Sequence, residues 1–428
     1  MLTVFDKAEY GRRLAKVRAS MKAKNIDVLI EPDPANMNYL TGYDGWSFYV
    51  PQMILVPVEE SAEPVWVGRG VDIGGARLTC WMSKDNIVAY PEDTVQHPTR
   101  HPMQFVAKVL QDRGWANRRI GVWLDNYYYT PRADDALRNA LPNAQFVPAD
   151  LLVNWVRLIK SDLEIKKIRE AARVTEKIVD TYYRVMRPGV RQCDAAAEIV
   201  KSSINGTSQY GGDYASCMPF IPIGEQTQAS HLTWTDQKIK KGQTTYIECA
   251  GVRHRYHSPL ARSIHLGKPP KNLVDCNEAV LEGMAAALDQ ARPGKTPHDM
   301  AMAWQKVLDR YGLTKESRIG YPIGIGYPPD WGEHTASLRK DDRTELKPNM
   351  CFHMILGMWM DGWGFESSET FRITNGAAEC FANVPRGLKV IDGSSPKGTR
   401  VATSNRSKAP AKKAKSKKPV KKAAKRRR

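Results

Sequence analysis

The sequence predicts an α+β protein: a smaller α/β domain over residues 1–157, an α+β domain over 158–393, and a Lys/Arg-rich tail over 394–428. Three observations lead there. In the first third, short apolar runs bounded by Pro, Gly, Asn or Asp alternate with helical patterns. In the middle, pairs of strand-like runs are separated by long helical patterns. Beyond Gly393, large apolar residues nearly vanish.

Taken in order, RRLAKVRASMKAKNIDVLIEP (12–32) reads as an amphipathic helix running into a buried strand. MILVPVEE, PVWVGRG, RIGVWLDN and AQFVPAD follow as short strands. From Asp162 to Met186, apolar residues recur at helical spacing, and Arg187-Pro188-Gly189 stops the run, so a linker helix carries the chain into the second domain. Three further helices are expected at CDAAAEIVKSSI, NLVDCNEAVLEGMAAALDQA and DMAMAWQKVLDRYG. They separate two strand pairs, TTYIECAG with ARSIHLG and MCFHMILGMW with ETFRITNG. Tyr321 and Tyr327 bracket a Gly/Pro segment that reads as a rigid loop, because Pro322, Pro328 and Pro329 fix backbone angles and remove donors.

Composition narrows the class. A chain of 428 residues with 42% apolar content can bury sizeable cores. No run approaches the roughly 18 apolar residues of a membrane span, and MLTVFDKAEYGRRL lacks a signal peptide's apolar stretch, so the expected location is cytoplasmic. Seven scattered cysteines without a CxxC pair are expected to be reduced, against a disulfide framework or structural zinc. The formal charge of +18 lies almost wholly in the tail. Residues 397–428 hold 15 Lys/Arg and no Asp/Glu, leaving +3 for the rest. Such a tail is expected to be disordered. It either contacts nucleic acid or another polyanion through counterion release or serves only solubility. Nothing before it shows a recognition helix, zinc finger or aromatic RNA-binding signature.

The helix RLIKSDLEIKKIREAARVTEKI, with the order of hairpins and helices over roughly 160–380, resembles the pita-bread fold of the creatinase and methionine/proline aminopeptidase family. The resemblance implies a pita-bread second domain behind a creatinase-like α/β domain. Its metallopeptidase members hold two metal ions with five ligands. Here those positions are Glu248, Pro259, Tyr321, Ile355 and Ser368. One acid in five cannot converge enough oxygen or imidazole donors on two ions, so no metal and no cofactor are expected. That pattern is similar to the creatinase branch, which hydrolyses a small zwitterion without metal. GEQTQASHLTWTDQKIKKGQ places His231 where that branch carries its catalytic His, and YHSPLARS resembles the hairpin that replaces the metal-binding one. NMNYLTGYDGWSFYV, YGGDYAS, GYPIGIGYPPDWGEH and DRTELKPNMCFH are similar to a narrower group of the family that opens cyclic amidines, over about residues 1–390. The resemblance implies C–N hydrolysis of a small zwitterionic substrate by a homodimer.

The candidate residues each carry two readings. By strand alternation Tyr246, Glu248 and Ala250 share a face. The Glu248 carboxylate either pairs with Arg262 across the hairpin or faces the cavity, where it holds a positive amidinium and acts as base on the attacking water. His231 is a general acid or base, or a turn-capping histidine. His257, placed in the hairpin turn, contacts the pocket or caps the turn. Tyr321 is a packed ring or a phenol bonded to substrate. Glu366 shares a face with position 368, whereas Glu369 points away, so Glu366 is expected to supply the neighbouring carboxylate. Trp46 and Phe48 are either core or an aromatic wall for a small cation. In pita-bread dimers such a wall reaches over the partner's pocket. Tyr327, Trp331 and Arg262 complete the expected binding set. The alternatives left open are C–N hydrolysis of another small zwitterion, an iron-dependent lyase, and a non-catalytic pita-bread binding module.

Overall fold

The computed structural model describes residues 2–392; the basic tail expected to be disordered lies outside the described residues. Its first sheet contains β1 (Val28–Glu31), β2 (Met53–Pro57), β3 (Val65–Arg69), β4 (Ile87–Tyr90), β5 (Arg119–Val122) and β6 (Gln145–Pro148), in the order β4-β3-β2-β1-β5-β6. The β1–β2 and β2–β3 pairs are antiparallel and the outer pairs parallel. β1 and β2 are buried along their whole length, which is why their runs read as continuous apolar stretches rather than alternating ones. β4 was not expected from the sequence. It is four residues long with only its ends buried, too short to show a period.

The linker helix runs Asp162–Val185 and starts on a capping box: Ser161 Oγ accepts the Glu164 amide, and the Glu164 carboxylate accepts the Ser161 amide at 2.9 Å. It lies against the hairpin of β7 (Thr244–Arg253) and β8 (Tyr256–Leu266). A Cβ on Gly251 would meet the carbonyl of Ala171 at 2.4 Å, so this approach of helix to strand requires glycine. His254 and Arg255 close the hairpin at φ +50° and +69°, the geometry of a two-residue turn that follows strand twist. His257 therefore stands inside β8, opposite Val252, and not in the turn where the sequence placed it.

The remaining strands are β9 (Gly320–Tyr327), β10 (Asp330–Gly332), β11 (Cys351–Met360), β12 (Trp363–Arg372), β13 (Glu379–Cys380) and β14 (Lys389–Ile391). The path is β13-β12-β11-β9-β8-β14, with β7 on β8 and β10 on β9. Two sequence expectations change. β12 begins at Trp363, well before ETFRITNG, because the β11–β12 hairpin turns tightly at Asp361-Gly362. The Gly/Pro segment expected as a rigid loop is the strand β9, paired with β11 through Tyr321 and His353. Its glycines accommodate close neighbours: a Cβ on Gly324 would stand 2.4 Å from Glu333 Oε1, and one on Gly326 would stand 2.7 Å from Ser216 Oγ.

Buried polar side chains cross the expected boundary at residue 157. Arg157 donates to Asn36 Oδ1 at 2.7 Å and to the Ile325 carbonyl at 2.6 Å, and Lys160 pairs with Glu333 at 2.6 Å. Arg13 donates to the Tyr256 hydroxyl, which donates onward to Glu164, each at 3.1 Å. These bonds satisfy every charged head they bury, which fixes the first sheet against β8 and β9.

Candidate active site

A cavity of about 350 Å³ opens where β7, β9 and β10 meet, a size suited to a small molecule. Glu248 comes from β7, Arg318 from the segment just before β9, Tyr321 from the start of β9, and Trp331 from β10. Phe220 and His231 come from the loops preceding β7.

Glu248 is 3% exposed, held by mutual backbone hydrogen bonds with Phe220. Burial pushes its carboxyl up to about 8. It stands directly opposite Ala261, while Arg262 stands opposite Ile247. Cross-strand partners share a face, so Glu248 and Arg262 point to opposite sides of the hairpin. The expected Glu248–Arg262 pair does not form. Arg262, expected to bind substrate, instead pairs with Glu369 at 2.6 Å and donates to the carbonyls of Pro385, Val384 and Ala261. It is a structural cation, away from the cavity.

Glu366, on β12, is fully buried, and neither carboxylate oxygen finds a hydrogen-bond partner among the described residues. Burial, then the neighbouring charge of Glu248, raises its carboxyl well above the ordinary range, with Lys315 opposing. Lys315 is itself lowered to about 8 by burial, and its ammonium donates to the Gly357 carbonyl at 2.7 Å. Two adjacent carboxyl groups thus form no ion pair among the described residues.

Tyr321 sits between two donors or relays. Trp331 Nε1 donates to its hydroxyl oxygen at 3.0 Å, and His353 Nδ1 lies 3.1 Å from the same oxygen. On its far side His353 Nε2 lies 2.7 Å from Ser368 Oγ, which accepts the Ala261 amide at 2.6 Å. Burial, with Arg262's charge adding, lowers His353 to about 3, so its ring stays neutral. Burial and the Glu248 charge raise Tyr321 well above an ordinary phenol.

These bonds also decide the fit to a metal centre. Tyr321 and Ser368 are engaged with each other through His353, Pro259 and Ile355 offer no ligating atom, and among the described residues no three His, Cys, Asp or Glu side chains group to hold an ion. The residues present do not fit the two-metal site of the pita-bread peptidases.

The other expected residues fall as follows. His231 lines the cavity on an exposed loop, its ring 5.3 Å from that of Phe220. His257, expected among the catalytic groups, does not line it. Nε2 accepts the Ser216 amide at 3.0 Å and Nδ1 donates to the Arg255 carbonyl at 2.8 Å, so both nitrogens are used, and burial lowers the ring to about 4. Tyr327, expected to bind substrate, turns its hydroxyl to Asp44 at 2.8 Å and receives Asn38 at 3.2 Å, outside the cavity. Phe48 packs on Tyr327, and Trp46 on Tyr214 and Phe48, so within one chain neither ring lines the cavity. Trp46 is 59% exposed. Sequence reasoning missed Arg318 and His353. His353 shares a strand face with the lost ligand position Ile355, a period-2 signal that was available. Arg318 had none, since only the start of β9 at Gly320 places it at the rim.

Fold and cavity define a pita-bread hydrolase whose lost ligand positions have become a hydrogen-bonded relay beside a carboxylate pair. The model of metallopeptidase family M24 matches residues 166–375, and that of the creatinase/prolidase N-terminal domain matches 13–159. The chain is 44% identical over 393 residues to the ectoine hydrolase of Halomonas elongata, covering 90% of this chain and 98% of that protein. It is 42% identical over 388 residues to an uncharacterized hydrolase/peptidase of Sinorhizobium fredii, covering 91% and 99%. Among solved structures, the Xaa-Pro dipeptidase from Bacillus anthracis superposes with a TM-score of 0.75 at 19% identity, over 89% of this chain and all of that one, which shows the shared fold. The chain belongs to metallopeptidase family M24, with a creatinase/prolidase N-terminal domain, and is a hydrolase acting on C–N bonds. Among the described residues, no helix is long and apolar enough to cross a membrane.

Proposed function

We propose that the protein hydrolyses the cyclic amidine of ectoine without a metal ion, releasing N-acetyl-L-2,4-diaminobutyrate. The observation that carries the reading is Glu248, a buried carboxylate on a small cavity, backed by Glu366 and unpaired with any cation among the described residues. A site of that charge suits an amidinium, and the likeness to the Halomonas enzyme supplies the particular ring.

In this reading the amidinium sits against Glu248 and offsets the cost of ionising it. Glu248 takes a proton from water as the water oxygen bonds to the amidine carbon. The adduct carries one hydroxyl and two ring nitrogens on that carbon. His231 protonates the departing nitrogen as its bond to carbon breaks, and the hydroxyl oxygen becomes the acetyl carbonyl as its proton is released. Atoms balance with one water consumed. The working form is a cytoplasmic homodimer, in which Trp46 and Phe48 approach the partner's cavity.

Incubating the purified protein with ectoine and with creatine, followed by mass detection, tests the substrate. Gain of one water by ectoine supports the reading. Turnover of creatine alone would move it to another small zwitterion, and turnover of neither would favour a non-catalytic module.

A further inference from the structure

The cavity wall also holds two donors that the hydrolytic step does not use, the Tyr321 hydroxyl and the Arg318 guanidinium. The direction of the Tyr321 hydroxyl follows from its partners. Ser368 Oγ already accepts the Ala261 amide, and its own hydrogen has one acceptor within reach among the described residues, His353 Nε2 at 2.7 Å. Nε2 is then unprotonated, so the proton of the neutral ring sits on Nδ1 and points at Tyr321 Oη, 3.1 Å away. Trp331 Nε1 can only donate, and it donates to the same oxygen at 3.0 Å. Both lone pairs of the phenol are taken. Its remaining capacity is its own O–H, for which no described residue offers an acceptor, and Tyr321 lines the cavity.

Arg318 lies on the same wall with its guanidinium 4.6 Å from the Tyr321 ring centroid. It forms no ion pair or hydrogen bond among the described residues and reaches solvent at the rim. An unpaired guanidinium beside a phenol fixed as a donor recognises an oxyanion of carboxylate size, because the fork of Arg and a neutral O–H together match the two carboxylate oxygens.

We propose that Arg318 and Tyr321 form a subsite for a substrate carboxylate, and that His353 is the positioning residue that keeps Tyr321 a donor. The cavity then binds both charges of a zwitterion, the cation at Glu248, behind which Glu366 is buried, and the anion at Arg318 and Tyr321. This deepens the ectoine reading and rests on it for the identity of the ring, since ectoine carries a carboxylate on the amidine ring.

The test compares ectoine with the same ring lacking its carboxylate, 2-methyl-1,4,5,6-tetrahydropyrimidine, on the wild type, Arg318→Gln, Tyr321→Phe and His353→Leu. The wild type is expected to favour ectoine by about 10- to 100-fold in kcat/KM, the range for hydrogen bonds to a charged group. Each variant lowers kcat/KM on ectoine by more than on the carboxylate-free ring, so the preference collapses toward one. General damage to the fold would lower both ligands alike, so the ratio separates positioning from instability. Arg318 is at the rim, so Arg318→Gln decides the matter if the buried variants fail to fold. An unchanged ratio in Arg318→Gln overturns the subsite. If the wild type hydrolyses neither ring, the ectoine reading falls. The same ratio is then measured in calorimetric Kd. A preference that Arg318→Gln removes keeps the subsite, and equal affinities overturn it.

Discussion

Arg262 and Glu369 meet at 2.6 Å with both side chains at 1% exposure or less, on the face of the β7–β8 hairpin that looks away from Glu248. That pairing turns the Arg262 guanidinium away from the Glu248 side of the hairpin. Glu248 and Glu366 are left adjacent and buried, with no ion-pair partner among the described residues, which is the arrangement a cationic ligand would complete.

Because Arg262 is structural, Arg262→Leu should unfold more readily and not bind more weakly. Glu369 would keep only Arg386, at 3.1 Å on a partly exposed side chain. Breaking a buried pair by removing one partner costs about 3–5 kcal/mol, read from urea denaturation. Turnover per folded molecule should stay within about twofold of wild type. A tenfold rise in KM with unchanged stability would return Arg262 to the binding set.

Glu248→Gln should lose turnover and gain stability. Its folded pKa is raised from the usual 4.5 to about 8, so ionisation favours the unfolded chain. The penalty is absent below pH 4.5, grows as pH rises from there to about 8, and is constant beyond. The variant should match wild type in unfolding free energy at pH 4 and exceed it at pH 7 by up to about 3 kcal/mol, seen as a higher denaturant midpoint. Equal midpoints at both pH values would mean that Glu248 is not desolvated.

The pH profile follows from the same shift. As a base Glu248 works ionised, so kcat/KM should climb through pH about 8. In the complex the bound amidinium favours the carboxylate, so the kcat midpoint should lie lower. Binding at pH 7 should then release protons to the buffer, measurable from the dependence of binding enthalpy on buffer ionisation. A kcat/KM profile flat from pH 6 to 9 would remove Glu248 as the base. His257 and His353, lowered to about 4 and about 3, should add no break above pH 5.

The two histidines of the original catalytic set should separate. His231→Asn, on an exposed loop, should lower kcat about 10²- to 10⁴-fold with stability within about 0.5 kcal/mol. His257→Leu should do the reverse, costing about 1–3 kcal/mol because the buried Ser216 amide loses its acceptor, while the Arg255 carbonyl keeps only the Gly326 amide. Equal kinetic losses in both would contradict the split.

The long helices were legible because caps and periodicity agree, as at Ser161 and Glu164. β9 was not, because Pro322 and three glycines within it, with Pro328 and Pro329 just beyond, read as loop chemistry, and only the closeness of Glu333, Ser216 and the β11 backbone shows why small residues sit in a strand. The lost metal positions were visible as a pattern of residue types, and Glu366 followed from strand alternation. The fates of Arg262, His257 and Tyr327 were not, since polar residues beside a pocket look alike in sequence until register says which face each one takes. The Tyr321–His353–Ser368 relay joins β9 to the β11–β12 hairpin across the sheet, so no local signal predicts it.

The most direct test of the central claim is ectoine turnover by metal-stripped protein in the presence of a chelator, with metal content measured on the same sample. Full turnover without bound metal is the predicted result. Loss of turnover on chelation, restored by manganese or cobalt, would contradict it.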